Sequence, residues 1–299
     1  MKFRVQVFLK LYRLYADTQI TVFEYYLVYK DRNVGKKDIS MVLGIGLGFV
    51  CLIAAFIVEG GSPLKLLSVS AIMIIAGGTF GALTVSFGLP MVLKELPGGF
   101  LRSMSGVEHD QSKLVNLFVT FAEKARKEGL LSLEEDIQSD LSSDEYDPLV
   151  KRGLSLVIDG IDASAIQAIF EVEIMEFEER EKTKVGIFEQ AGGFCPTMGI
   201  VGTVLGLISV LSHLNEPEKL GESIAAAFIA TLYGIGFANI IFLPVANKLK
   251  GIMKGQIEVK NLILVGVISL QAGDNPRIVK DKLIGFISEN HREKVTSVD

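Results

Sequence analysis

The chain has 299 residues, of which 49% are hydrophobic and 22% charged, and it carries a net charge of −5. An apolar share that high exceeds the usual content of a soluble domain, and the acidic balance argues against nucleic-acid binding. Its two cysteines, Cys51 and Cys195, lie in or beside separate apolar stretches, which excludes a disulfide scaffold and offers no metal-ligand spacing.

The first segment, residues 1–38, is basic. Residues 1–37 hold eight Lys/Arg against three acids and are rich in Phe, Tyr and Leu. Two readings stay open for Met1–Asn33: an amphipathic helix lying on the inner leaflet, or a stretch ahead of a true start near Val34. Next come two stretches without any Asp, Glu, Lys or Arg, Ile39–Val58 and Leu66–Leu93. Two more follow later, Gln190–Asn215 and Ser223–Asn247. A helix of about 20 apolar residues covers the hydrocarbon core of a bilayer, and all four stretches are long enough. The chain therefore reads as two membrane helix pairs, over 39–93 and 190–247.

Between the pairs lies a charged segment, 94–189, with 11 Lys/Arg and 21 acids. Gln111–Gly129 reads as a helix, because Leu114, Leu117, Phe118, Phe121, Ala122 and Ala125 recur at spacings of three and four. Ser132-Leu133-Glu134-Glu135 reads as a capping box that opens a second helix. Asp147-Pro148 opens a third, as an N-cap followed by Pro at the first helical position. Asp162-Ala163-Ser164 opens a fourth, which meets no Gly or Pro until Gly186 and is expected to run into the third span. That helix carries Glu171, Glu173, Glu176, Glu178, Glu179 and Glu181. A run of acids is most often a solvated helix face; the rival reading is a docking face for a basic partner. The tail, 248–299, holds an apolar run, Asn261–Gly273, too short to span and expected to dock as a helix.

Lys and Arg near the span ends set orientation. Lys36, Lys37, Lys94, Arg102, Lys248, Lys250 and Lys254 lie on one side, while the two short loops carry one Lys each. Both termini and the central segment are thus expected to be cytoplasmic. The fold class is an all-α membrane protein with four transmembrane helices and a large cytoplasmic helical segment between the second and third.

None of the four spans carries a carboxylate. Two carry stripes of small and hydroxyl residues: Pro196, Gly199, Gly202, Thr203, Gly206 and Ser209 in the third; Ser223, Ala227, Ala230, Thr231, Gly234 and Ala238 in the fourth. Such stripes let helices approach closely in lipid. They also suit the wall of an ion path, with Thr203 and Thr231 as hydroxyl donors or acceptors and with Pro196 and Pro244 each freeing a backbone carbonyl one turn earlier. A Thr in a helix equally bonds its own backbone. A cation path normally needs a carboxylate, so one is expected from another chain. Phosphate-loop, nucleophile-elbow and histidine-metal patterns are absent from the sequence, and an enzyme is not expected.

Four blocks resemble the MotA/PomA stator family of the bacterial flagellar motor: Ile75–Gly81; Lys124–Glu134, with Arg126, Gly129 and Glu134; Pro196–Leu207, with Gly199, Gly202, Thr203 and Gly206; and Ala230–Gly234 continuing through Pro244–Leu249. The resemblance covers about residues 39–285, and the extended N-terminus departs from it. It implies a subunit of the bacterial inner membrane, five copies of which ring two copies of a MotB/PomB-like, single-span, peptidoglycan-anchoring partner that supplies an ion-binding Asp. It implies transported Na+ or H+, no cofactor, and a bundle that pushes on the rotor protein FliG. The family's rotor-facing charges map onto Arg126, Glu134 and Glu173. Without the resemblance, Arg126 in a last helical turn and Glu134 in a first turn would simply complement helix dipoles. A Thr at position 203 leans toward sodium, because many proton-driven relatives have Ala there. Two other readings stay open: an ion-driven energiser of the three-span TolQ/ExbB kind, and a non-conducting membrane scaffold.

Overall fold

A computed structural model describes residues 35–106, 111–139, 146–212, 214 and 217–295. The amphipathic-helix reading of Met1–Asn33 and the alternative start at Val34 fall outside these residues. The described chain is almost wholly helical, apart from a short antiparallel pairing of β1 (Gly35–Lys37) with β2 (Ser105–Gly106).

Among the described residues, four helices are long and apolar enough to cross a membrane. The first is α1 (Ser40–Val58), started by Asp38 Oδ1, which accepts from the Ser40 amide at 2.9 Å. It buries none of its residues against the rest of the chain. The second, α2 (Val69–Phe87), is capped by Ser68 and follows a 3-10 turn over Pro63–Leu66. It buries Ala71, Ile75, Thr79 and Leu83, a single face at a spacing of four. This span is shorter than the charge-free stretch suggested. Gly88 takes a φ of +82°, open to glycine and strained for other residues, and donates back to Thr84 O at 2.9 Å. Pro90, in the first turn of α3 (Leu89–Ser103), then starts an amphipathic helix that buries Val92, Glu95, Gly99 and Ser103.

The two remaining spans belong to two long rods. Helix α7 (Ala163–Ser212) runs unbroken for 50 residues, about 75 Å, through Gly186 and Pro196. Asp162 Oδ1 opens it by accepting from the Ser164 and Ala165 amides at 2.9 and 3.2 Å, as the sequence predicts. The second rod joins α8 (Pro217–Gly236), one π-helical stretch (Phe237–Phe242) and α9 (Leu243–Gln271). The wider π turn sits immediately ahead of Pro244. There the proline removes a backbone donor and its ring would crowd the carbonyl four residues back. The tail's apolar run is therefore not a separate docked helix but the far end of this rod.

Both rods extend beyond the spans into a charged bundle. There α4 (Ser112–Glu128), α5 (Leu133–Ser139), α6 (Pro148–Ile158) and α10 (Pro276–Leu283) gather around Phe118, Leu154, Ile166, Phe170, Leu262, Ile263 and Val267. Asp147 caps α6 through the Leu149 amide at 2.9 Å and also accepts from Lys260 Nζ at 3.0 Å. The capping box at Ser132 does not form. A 3-10 turn over Leu130–Ser132 precedes α5, and Ser132 Oγ donates back to Gly129 O at 2.7 Å.

A layer of ion pairs lies where the spans meet the bundle. Asp38 pairs with Lys248, and Glu189 pairs with Lys250. The Lys248 ammonium holds the Asp38 carboxyl far below the usual carboxylate range. Glu181, the one buried member of the acidic run, pairs with Arg102 on α3 and accepts from Lys184 at 2.6 Å. Burial pushes its pKa up, but the Arg102 charge and the bonds from Lys184 and Arg102 more than offset this and hold it below its ordinary value. A carboxyl with a lowered folded pKa stabilises fully above its unfolded value, and that contribution disappears as pH falls through the folded value. Glu181→Gln leaves two cations at a site built for a carboxylate. It is expected to cost about 3 kcal/mol of stability and to flatten the loss of thermal stability below the ordinary carboxylate range, measured by melting the purified protein across pH.

Candidate functional site

The two stripes of small residues face each other along the contact of α7 and α8. A side chain at Gly202, Gly206 or Gly234 would collide, and one at Gly199 would be tightly pressed. A Cβ on Gly202 would lie 2.6 Å from Ala230 Cβ, and one on Gly206 would lie 2.6 Å from Ala227 Cβ. A Cβ on Gly199 would meet Ala230 O at 3.0 Å, and one on Gly234 would meet Cys195 O at 2.6 Å. The backbones are thus in direct contact over two turns, the geometry that small residues permit in lipid.

At mid-seam the two threonines meet. Thr203 Oγ1 lies 3.1 Å from both Gly199 O and Ala227 O, where it can donate, and it shares a short hydrogen bond with Thr231 Oγ1. Four oxygens from two helices therefore converge at one level of the membrane: two hydroxyls and two carbonyls. Both threonines are half-buried. The back-bond to Gly199 is the ordinary fate of a helical Thr; the bond to Ala227 crosses to the other helix. Pro196 lies half-buried on the same stripe, whereas Pro244 is exposed, on the far side of the π turn, and does not join this group. Two further side chains belong to the neighbourhood. Thr79 on α2 sits 3.4 Å from Cys195 Sγ, and Tyr233 donates its hydroxyl proton to Leu66 O. They tie α2 and its preceding turn to the two rods. Thr79 stands in the Ile75–Gly81 block, but nothing in the sequence singled it out or paired it with Cys195.

The charged residues singled out in the bundle separate into two groups. Arg126, in the last turn of α4, and Glu134, in the first turn of α5, are both exposed. The turn between them is held from behind. Gly129 breaks the helix at φ +86°, and Lys124 Nζ donates to both oxygens of Asp136 at 2.9 and 2.8 Å. Asp136 holds the Lys124 ammonium above the ordinary lysine range. Lys124 is thus committed within the bundle rather than presented outward. Glu173 is half-buried and pairs with Arg152 of α6, apart from Arg126 and Glu134 in its bonding. Among the described residues no group of His, Cys, Asp or Glu is arranged to hold a metal ion.

Comparison with known proteins now decides the family. The chain is 35% identical over 258 residues to Motility protein A of Bacillus subtilis, covering 86% of this chain and 93% of that protein. The chain belongs to the MotA/PomA family. It is also 30% identical over 255 residues to the chemotaxis protein PomA of Vibrio alginolyticus, covering 85% of this chain and 97% of that one. The profile of the MotA/TolQ/ExbB proton channel family matches residues 142–261, which take in α6, all of α7 and α8, and most of α9. Among solved structures, the fold is similar to a chain of the flagellar MotAB stator complex from Bacillus subtilis, with TM-score 0.78, 34% identity and coverage of 86% of this chain and all of that one. Membership makes this MotA/PomA protein a multi-pass membrane protein rather than an enzyme.

The seam makes one expectation sharp. Gly206→Val places branched carbons where Ala227 already stands and should force the rods apart, at a cost of about 2 kcal/mol. Gly193→Val, at a position open to space, should cost far less. Melting temperatures of the two purified variants check the contrast.

Proposed function

We propose that this protein is the ion-conducting stator subunit of a bacterial flagellar motor, coupling Na+ or H+ influx to torque. The observation that carries the reading is the near full-length match to motility protein A and to a chain of the MotAB stator complex. The carboxylate-free seam supports it: the paired threonines and carbonyls offer oxygen ligands but no fixed charge. The carboxylate then comes from a MotB/PomB-like, peptidoglycan-anchored partner, whose single span carries an Asp. In this reading five copies of the chain ring two copies of the partner in the inner membrane, with the bundle and both termini in the cytoplasm. The basic residues that flank the spans on the bundle side support that orientation.

Energetics suit such a motor. One cation crossing ~150 mV releases roughly 3.5 kcal/mol, several times thermal energy. The long α7 and α9 rods provide a stiff route from the seam to the bundle. There Arg126 and Glu134 meet the rotor protein FliG through complementary charge. Glu173, bonded to Arg152, contributes by holding α7 to α6 and by presenting an acidic edge.

Charge reversal at Arg126→Glu and at Glu134→Lys should each lower stall torque at least severalfold while leaving membrane level and assembly unchanged, read by tethered-bead rotation and immunoblot. Torque indifferent to both reversals would remove the rotor contact from this site. For the ion, Thr203→Ala takes one oxygen out of the seam, and with it the contacts to Gly199 O, Ala227 O and Thr231 Oγ1. Swimming speed measured against sodium at fixed pH should then need more sodium to reach half its maximum; a wild-type speed that ignores sodium would assign the path to protons.

A further inference from the structure

The turn that presents Arg126 and Glu134 also presents a leucine. Of the three leucines in Leu130-Leu131-Ser132-Leu133, Leu133 is fully buried in the bundle core and Leu130 packs against it. Residues three apart in a 3-10 turn lie on one side, so Leu131 is directed away from the core. It is 71% exposed, the most exposed large apolar side chain of the bundle among the described residues.

Nothing in the turn's construction calls for a leucine there, and the turn is not loose. Gly129 donates to Ala125 O at 2.9 Å, the Ser132 amide and hydroxyl both bond Gly129 O, and the Lys124–Asp136 pair ties α4 to α5. The backbone under this side chain has little freedom left to lose on binding. Opposite charges flank it along the chain: Arg126 and Lys127 close α4, and Glu134 and Glu135 open α5. An apolar centre within a charged rim is the ordinary anatomy of a protein–protein contact. The rim steers and orients, while the buried centre supplies most of the hold.

We propose that Leu131 is the apolar anchor of the rotor contact. It enters an apolar pocket of the rotor protein that is acidic where it meets Arg126 and Lys127 and basic where it meets Glu134 and Glu135. This rests on the stator reading above and adds to it an apolar component.

The test uses the complete stator in cells with its partner subunit, and compares Leu131→Asn, Leu131→Met and Arg126→Glu. Stall torque is read by tethered-bead rotation, membrane level by immunoblot, and ion flux and melting temperature on the purified complex. Leu131→Asn keeps the side chain's size and removes its apolar character. It is expected to lower stall torque about fivefold, with ion flux and melting temperature unchanged. Leu131→Met is expected to stay within twofold of wild type. Unchanged torque in Leu131→Asn overturns the proposal. So does an equal loss in Leu131→Met, or a loss of ion flux in step with torque, which would trace the effect to the fold. If Arg126→Glu loses torque and Leu131→Asn does not, the charge contact stands and the anchor fails. If Leu131→Asn loses torque and Arg126→Glu does not, the anchor stands and the electrostatic reading fails.

Discussion

The backbone contact between α7 and α8 is the constraint on which the rest of the molecule depends. In lipid no hydrophobic force drives two apolar helices together, so packing and polar bonds must hold them. Here Gly199, Gly202, Gly206 and Gly234 remove the side chains that would keep the rods apart. The closeness they permit brings Thr203 within bonding reach of a carbonyl on the neighbouring helix. The oxygen cluster is thus a product of the glycines as much as of the threonines. A seam with larger residues would leave each Thr bonded only to its own helix.

Mechanical continuity follows from the same two rods. Helix α7 passes from bundle to membrane without a hinge, and α9 returns beside it. The ion pairs Asp38–Lys248, Glu189–Lys250 and Arg102–Glu181 tie α1, α3, α7 and α9 together at the boundary. A displacement of the seam is therefore passed to the bundle by stiff elements rather than by loops. Helix α1 stands apart from this frame. It buries no residue of its own, touches the fourth span through Gly48 on Ile240 and Phe49 beside Phe237, and is held at its foot by Asp38 and by Met41, whose sulfur accepts from Ser103 Oγ at 2.8 Å.

Much of this was legible in the sequence because it depends on local chemistry. Charge-free length reveals spans, and Asp147-Pro148 and Asp162 mark helix starts wherever the chain happens to lie. The continuity of α7 could be read from the lack of any Gly or Pro before Gly186. What escaped depends on neighbours distant in the chain or on conformation that composition does not encode. The second stretch hid a turn, because Gly88 is uncharged and counts as membrane until its φ is known. Ser132 looked like a cap but sits in a 3-10 turn, where its hydroxyl meets Gly129 O first. Glu181 looked like its five acidic neighbours, and only Arg102, far back in the chain, distinguishes it. The threonines were recognisable separately, but their meeting required the two stripes to be in register.

The π-helical stretch ahead of Pro244 has a consequence for how this rod tolerates change. A π turn holds one residue more than an α turn, so the chain below it is rotated by about 100° relative to an uninterrupted α-helix. With that offset in place, Val245, Ala246 and Leu249 are buried in one cluster with Leu83, Val92 and Phe188. Removing one residue from Phe237–Phe242 would regularise the helix and rotate those three side chains away from that cluster. The packing beyond this segment thus fixes its length, whatever side chains it carries outward.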